Sequence, residues 1–303
     1  VENGKALWYK NKFVTSPFGF GPNTHVLKHG DKIYALVEGG VSPVIMDSEM
    51  NFLEEEPFPK ADNKRFTAHP KIDADTGEMH AVSYDFGEYV NGLGQVHYVT
   101  IDRNGKLIKD QIIETPSRPM VHDCAITKNY VLIFDLPVTF NLGRRDDGND
   151  PIGGDYPVVW NDKHTSRVGL QSKKSDEIIW IEVNPGFLFH IVNSYENKNG
   201  QVVLDFCRYD RLFDFDNPLP MGQKPFLTRW ILDPKAKKCS EQMLDDRPME
   251  FSRVHPDYDG KQHRFGYLLN DGRLNNYFKH DFEKNETIAH DFGESCQAAE
   301  PVF

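Results

Sequence analysis

The chain has 303 residues, 39% of them hydrophobic and 27% charged, and carries a net charge of −11. That composition suits a folded protein with a sizeable core and excludes a disordered chain, a collagen and a coiled coil. The acidic balance, with no basic block of useful length, excludes a surface built to grip phosphate backbones, so no nucleic-acid partner is expected.

Apolar runs such as Tyr130–Phe134 and Phe187–Val192 fall far short of the roughly 20 residues a membrane helix needs. Cys124, Cys207, Cys239 and Cys296 lie far apart and form no CxxC pair. They read as reduced thiols of an intracellular protein, with the cytoplasm as the default location. The chain starts at Val1 without an initiator Met or signal region, and Pro301-Val302-Phe303 ends it on a strand-like beginning. Both ends read as trimmed, which makes residues 1–303 a fragment of one domain.

Strand signals separated by turn chemistry recur along the chain. Thr24–Lys28 and Ile33–Val37 flank the turn His29-Gly30-Asp31-Lys32 and predict a hairpin. Val96–Ile101 and Lys106–Ile113 flank Asp102-Arg103-Asn104-Gly105, where Asn-Gly is the strongest hairpin signal. Single strands are predicted at Tyr130–Phe134, Glu177–Val183 and Leu227–Asp233. Two more hairpins are predicted, Phe187–Tyr195 with Gln201–Tyr209 and Arg264–Leu269 with Arg273–Lys279. Gly143–Gly154 and Asp214–Lys224 read as surface loops. No stretch of a dozen residues shows a 3.6-residue apolar period, so the fold class is all-β: a barrel, a sandwich or a propeller. At roughly 40–50 residues per four-stranded blade, the length allows six to seven blades.

Three histidines sit in similar settings: His69 in FTAHPK, His122 in VHDCAIT and His190 in FLFHIVN. Each lies at the edge of an apolar, strand-like run, and their separations of 53 and 68 residues cannot come from one helix or one hairpin. Taken singly, each reads more readily as a hydrogen-bonded structural histidine, since no HxH or HExxH spacing is present.

The surrounding strings change that balance. FTAHPKID at Phe66–Asp73 with GEMH at Gly77–His80, VHDCAITKNYVLIFDLPV at Val121–Val138 and FLFHIVNSYE at Phe187–Glu196 resemble the three successive histidine motifs of the carotenoid cleavage oxygenase family. GPNTHV at Gly21–Val26, YALVEGG at Tyr34–Gly40, MEFSRVHP at Met249–Pro256 and EPVF at Glu300–Phe303 extend the resemblance in order, from near residue 8 to the end.

The resemblance implies a seven-bladed β-propeller capped by loops and short helices over an axial non-haem Fe(II). His69, His122 and His190 match three of its four histidine ligands; the fourth would lie beyond Phe303, so the iron site of the chain as given is incomplete. Neutral imidazoles suit Fe(II) and leave positions for dioxygen. Glu38, Glu250 and Glu300 match the glutamates that orient ligating histidines, and Thr24 matches a threonine whose methyl crowds one open metal position. Phe66, Phe140 and Phe189 are candidate tunnel walls or plain core residues.

The implied reaction is O2-dependent cleavage of a carbon–carbon double bond in a conjugated apolar substrate, with peripheral membrane contact as some members make. Stilbene-cleaving relatives pair a Lys before the first glutamate with an upstream Tyr. Here Val37 holds the former position and Phe13–Pro22 contains no Tyr. This favours a carotenoid or apocarotenoid over a stilbene. A propeller that only binds a partner is the reading from a different class.

Overall fold

The computed structural model describes residues 22–39, 43–55, 66–84, 95–140, 158–214, 223–272 and 274–303. The expected loop at Gly143–Gly154, most of that at Asp214–Lys224, and nearly all of Phe13–Pro22 lie outside these residues. The described structure is all-β, as expected, and its only helical element is one 3-10 turn at Pro256–Tyr258. No helix among the described residues is long and apolar enough to cross a membrane.

The chain divides into two compact units, one ending at Arg118 and the other running from Pro119 to Phe303. In the first unit, β1 (His25–His29), β2 (Lys32–Leu36), β3 (Val44–Met46) and β4 (Phe52–Glu55) form an antiparallel sheet in chain order. β5 (Lys71–Ile72), β6 (Met79–Ser83), β7 (Val96–Ile101) and β8 (Leu107–Ile113) form another. Gly30 and Gly105 take φ of 62° and 82° in the two predicted hairpin turns, a conformation that favours glycine. Tyr34, Leu36, Ile45, Phe66, Met79, Ala81, Val99 and Ile101 pack into one core. Phe66 is therefore fully buried packing rather than exposed wall.

In the second unit, β9 (Ala125–Ile126), β10 (Tyr130–Asp135), β13 (Arg167–Ser172) and β14 (Ile178–Glu182) form a sheet, with β11 (Val138–Phe140) and β12 (Val158–Trp160) as a separate pair. β15 (Phe187–Glu196), β16 (Val202–Tyr209), β17 (Phe226–Asp233), β18 (Lys238–Arg253), β19 (Phe265–Asn270), β20 (Asn276–Asp281) and β21 (Glu286–Asp291) follow one another in a seven-stranded sheet. The sixteen-residue β18 explains that sheet. Its first part, Lys238–Met243, pairs with β17, and its last part, Met249–Arg253, pairs with β19. Two four-stranded meanders thus share one continuous strand.

A buried polar network ties these meanders together. Asp205 is fully buried and takes two hydrogen bonds from Arg229, Nε to Oδ1 at 2.7 Å and Nη2 to Oδ2 at 2.9 Å. His263 lies beside them with its Nδ1 3.1 Å from Asn193 Nδ2, and the Phe282 ring packs edge-on against both His263 and His280. Burial first, then the Arg229 charge, push the His263 imidazole down to about 4 from its usual 6.5. Below pH 6.5 the unfolded chain takes up a proton that folded His263 refuses, so stability falls as pH drops, until the folded group titrates near 4. The slope from this group is at most about 1.4 kcal/mol per pH unit. Urea titrations across that window should show a flatter pH dependence in His263→Gln than in the wild type; parallel curves would remove His263 from the acid response.

Candidate metal centre

His190 sits where β15 departs from regular pairing. Leu188 pairs with Arg208 and Ile191 with Phe206, so Phe189 and His190 both face Cys207 alone, and a second irregularity follows before Asn193. A β-bulge re-aims the side chain it carries, and here that side chain is an imidazole. His190 is 8% exposed.

Glu250, on the β19-pairing half of β18 and 3% exposed, receives the His190 Nδ1–H at 2.5 Å through Oε2. A carboxylate on Nδ1 fixes the tautomer and leaves Nε2 with its lone pair, the state a metal requires. The same oxygen accepts the Phe251 N–H at 2.5 Å. Phe251 has φ of 52°, a strained region for an aromatic residue, and this places its ring 4.9 Å from that of His190.

His122 approaches from the loop before β9. Its ring meets that of His190 at 5.0 Å between centroids and 90° between planes, and meets Phe189 edge-on at 5.1 Å. Phe189 contacts Phe187, Phe213 and Tyr209 in turn, so an aromatic block adjoins the imidazole pair. Burial, and then the negative Glu250, push the Tyr209 phenol and the Cys207 thiol upward. Both groups stay neutral.

His69 is 1% exposed, its backbone N–H donating to Thr67 Oγ1 at 3.1 Å. The His25 ring stacks against it at 6.2 Å, and His25 Nδ1 bonds the Ala68 carbonyl at 2.9 Å. One ring nitrogen from each of His69, His122 and His190 lies within 4.8 Å of the others, a group able to hold a metal ion. Three imidazoles are a borderline donor set that fits a first-row ion such as iron.

Glu38 accepts the hydroxyl hydrogen of Tyr84 through Oε1. Glu300 pairs with Arg253 at 2.5 Å. Thr24 is exposed, its hydroxyl donating to Asn23 Oδ1 at 2.9 Å. Phe140 is buried in β11. Phe251 and Asp123 were not expected in the site; the Asp beside His122 was a signal in plain view, whereas nothing in the sequence marks the backbone turn at Phe251.

Fold and site together describe an all-β protein with three distant histidines able to hold a metal ion, one of them backed by a buried carboxylate. The sequence profile of the retinal pigment epithelial membrane protein family, RPE65, matches residues 3–303, and the chain belongs to that family. It is 31% identical over 331 residues to the carotenoid cleavage oxygenase of Mycobacterium tuberculosis, across 89% of this chain and 65% of that protein. The lignostilbene dioxygenase of Pseudomonas brassicacearum shares the fold with a TM-score of 0.78 at 24% identity, covering 92% of this chain and 62% of that one. Cobalt-substituted Synechocystis ACO, an apocarotenoid oxygenase, shares it with a TM-score of 0.75 at 23% identity, covering 95% and 63%. The fold is thus the β-propeller expected from the sequence. The chain spans just under two thirds of the length of these relatives.

Proposed function

We infer that the chain is part of a single-domain, Fe(II)-dependent dioxygenase that cleaves a carbon–carbon double bond of a conjugated apolar substrate into two carbonyl products. The observation that carries this reading is the histidine triad with the Glu250 carboxylate behind His190. His69, His122 and His190 would hold the iron, and a fourth ligand would come from residues beyond Phe303. The iron, when bound, supplies the binding and activation of O2.

The chain's own residues supply orientation and dryness. Glu250 holds the His190 tautomer, and the Phe187, Phe189 and Phe213 block keeps water from the His122 side. The same block suits an apolar polyene. Val37 is 8% exposed where a stilbene-cleaving relative would carry the phenol-gripping Lys, which favours a carotenoid or apocarotenoid. A stilbene is the second reading, supported by likeness to a lignostilbene dioxygenase.

The iron-loaded full-length protein, given an apocarotenoid and a hydroxystilbene in parallel under O2, should cleave the polyene with kcat/KM at least about tenfold higher, a difference of ~1.4 kcal/mol in barrier. Aldehyde products read by mass spectrometry decide it. Preferential stilbene cleavage would move the assignment to the second reading, and iron-loaded protein that cleaves neither would favour a binding propeller.

A further inference from the structure

The geometry points to Asp123 as the positioning residue that sets His122 and His190 at their mutual distance and angle; this rests on the metal-site reading above. Asp123 is 3% exposed. Its Oδ1 accepts the Cys124 N–H at 2.7 Å, and its Oδ2 accepts the Ile191 N–H at 3.2 Å. One carboxylate therefore joins the residue that follows His122 by two positions to the residue that follows His190 by one.

The location of that second bond matters. Ile191 is the residue at which β15 re-enters pairing after the His190 bulge. A bulge can relax in more than one way, and each way aims its side chain differently. An anionic acceptor on the Ile191 N–H selects one of them, and charge-assisted bonds of this kind are stronger than neutral ones.

Further along, the two segments are joined again, but by other means. Ser194 Oγ donates to the Ile126 carbonyl at 2.7 Å, and Glu196 accepts from Thr127 Oγ1 at 2.7 Å and Asn129 N at 2.8 Å. The Asp123–Ile191 and Ile126–Ser194 bonds share one 68-residue offset. The same offset separates His122 from His190. The loop and β15 thus run in register, and Asp123 is the member of this seam that adjoins both imidazoles. Ser194 offers a comparable bond too far along to aim either ring, which makes it the natural control.

Asp123→Asn keeps the size of the side chain but leaves one oxygen for two N–H donors. Its amide nitrogen must then face a donor. The two rings should part, while the rest of the seam holds.

The test uses the full-length protein loaded with Co(II), whose visible absorption reports ligand geometry. Asp123→Asn should shift the cobalt bands and weaken cobalt affinity by about tenfold or more, the range for residues that orient ligands. In the iron-loaded protein kcat should fall with KM unchanged. Ser194→Ala should lower the melting temperature without moving the bands or the affinity. Unchanged bands and affinity in Asp123→Asn would overturn the inference, as would equal shifts in both variants.

If Asp123→Asn does not fold, Asp123→Glu keeps the charge but displaces both acceptors by one methylene, and unchanged cobalt bands there would overturn the inference equally. If the wild type binds no cobalt, the metal-site reading fails by itself. The inference is then decided by the crystal structure of Asp123→Asn, where rings still 5.0 Å apart and perpendicular would refute it.

Discussion

Replacing His122 by alanine should strip the full-length protein of its metal and abolish turnover. His122 is one of three nitrogen donors that the described residues gather, so its loss leaves two of these beside the ligand proposed beyond Phe303. Residues that merely orient a ligand are worth about 10–100-fold in metal affinity, so removal of a ligand should exceed ~100-fold. Metal analysis after gel filtration should find the wild type loaded and His122→Ala nearly empty, with the circular dichroism of the sheets retained. His255 serves as the control: its side chain is half exposed at 49%, and His255→Ala should retain metal and activity. Full loading of His122→Ala would remove it from the ligand set.

The largest effect on folding is expected at Arg229. Burial pushes the Asp205 carboxyl upward, and the paired Arg229 guanidinium counters that shift without cancelling it. Arg229→Met would leave Asp205, fully buried, without its two strongest donors. Breaking a buried pair on one side costs about 3–5 kcal/mol, because a charge remains in a dry site. Removing both sides is much milder, so the double variant Asp205→Leu/Arg229→Met should be more stable than Arg229→Met alone. Urea unfolding of the two single variants and the double variant would show this. A double variant at the sum of the singles would mean that the pair acts through its packing, including the Arg229 guanidinium over the Phe282 ring at 5.4 Å.

The elements legible in the sequence share one property, which is that local chemistry decided them. Asn104-Gly105 between two apolar runs is a hairpin in any context, and β7 and β8 lie where it says. β18 was missed because its first half, Lys238–Asp246, is polar and largely exposed, so no apolar alternation announces it. Its strand character comes from pairing with β17, a tertiary effect. At the fourth hairpin the second strand is Asn276–Asp281, and Leu274 ahead of it takes a φ of 56°.

The histidines were legible only through motif strings, because a spacing of 53 or 68 residues has no local meaning. The partners of Glu38 and Glu300, Tyr84 and Arg253, were not legible at all, since side-chain pairing across strands depends on register. The place of Asp123 beside His122 was legible but its bond was not, because its distant partner is a backbone N–H, which every residue but proline carries.

The strand shared by the two meanders has a further consequence. Glu250 lies on the portion of β18 that pairs with β19, whereas its imidazole belongs to β15 at the far side of the other meander. Peeling β19 away would tug the carboxylate off the ring, and a ligand that prefers the seated ring must oppose that peeling. Occupancy of the centre would thereby resist opening between two interior strands of the sheet, and slow amide exchange in β19 would gauge how well an ion is held.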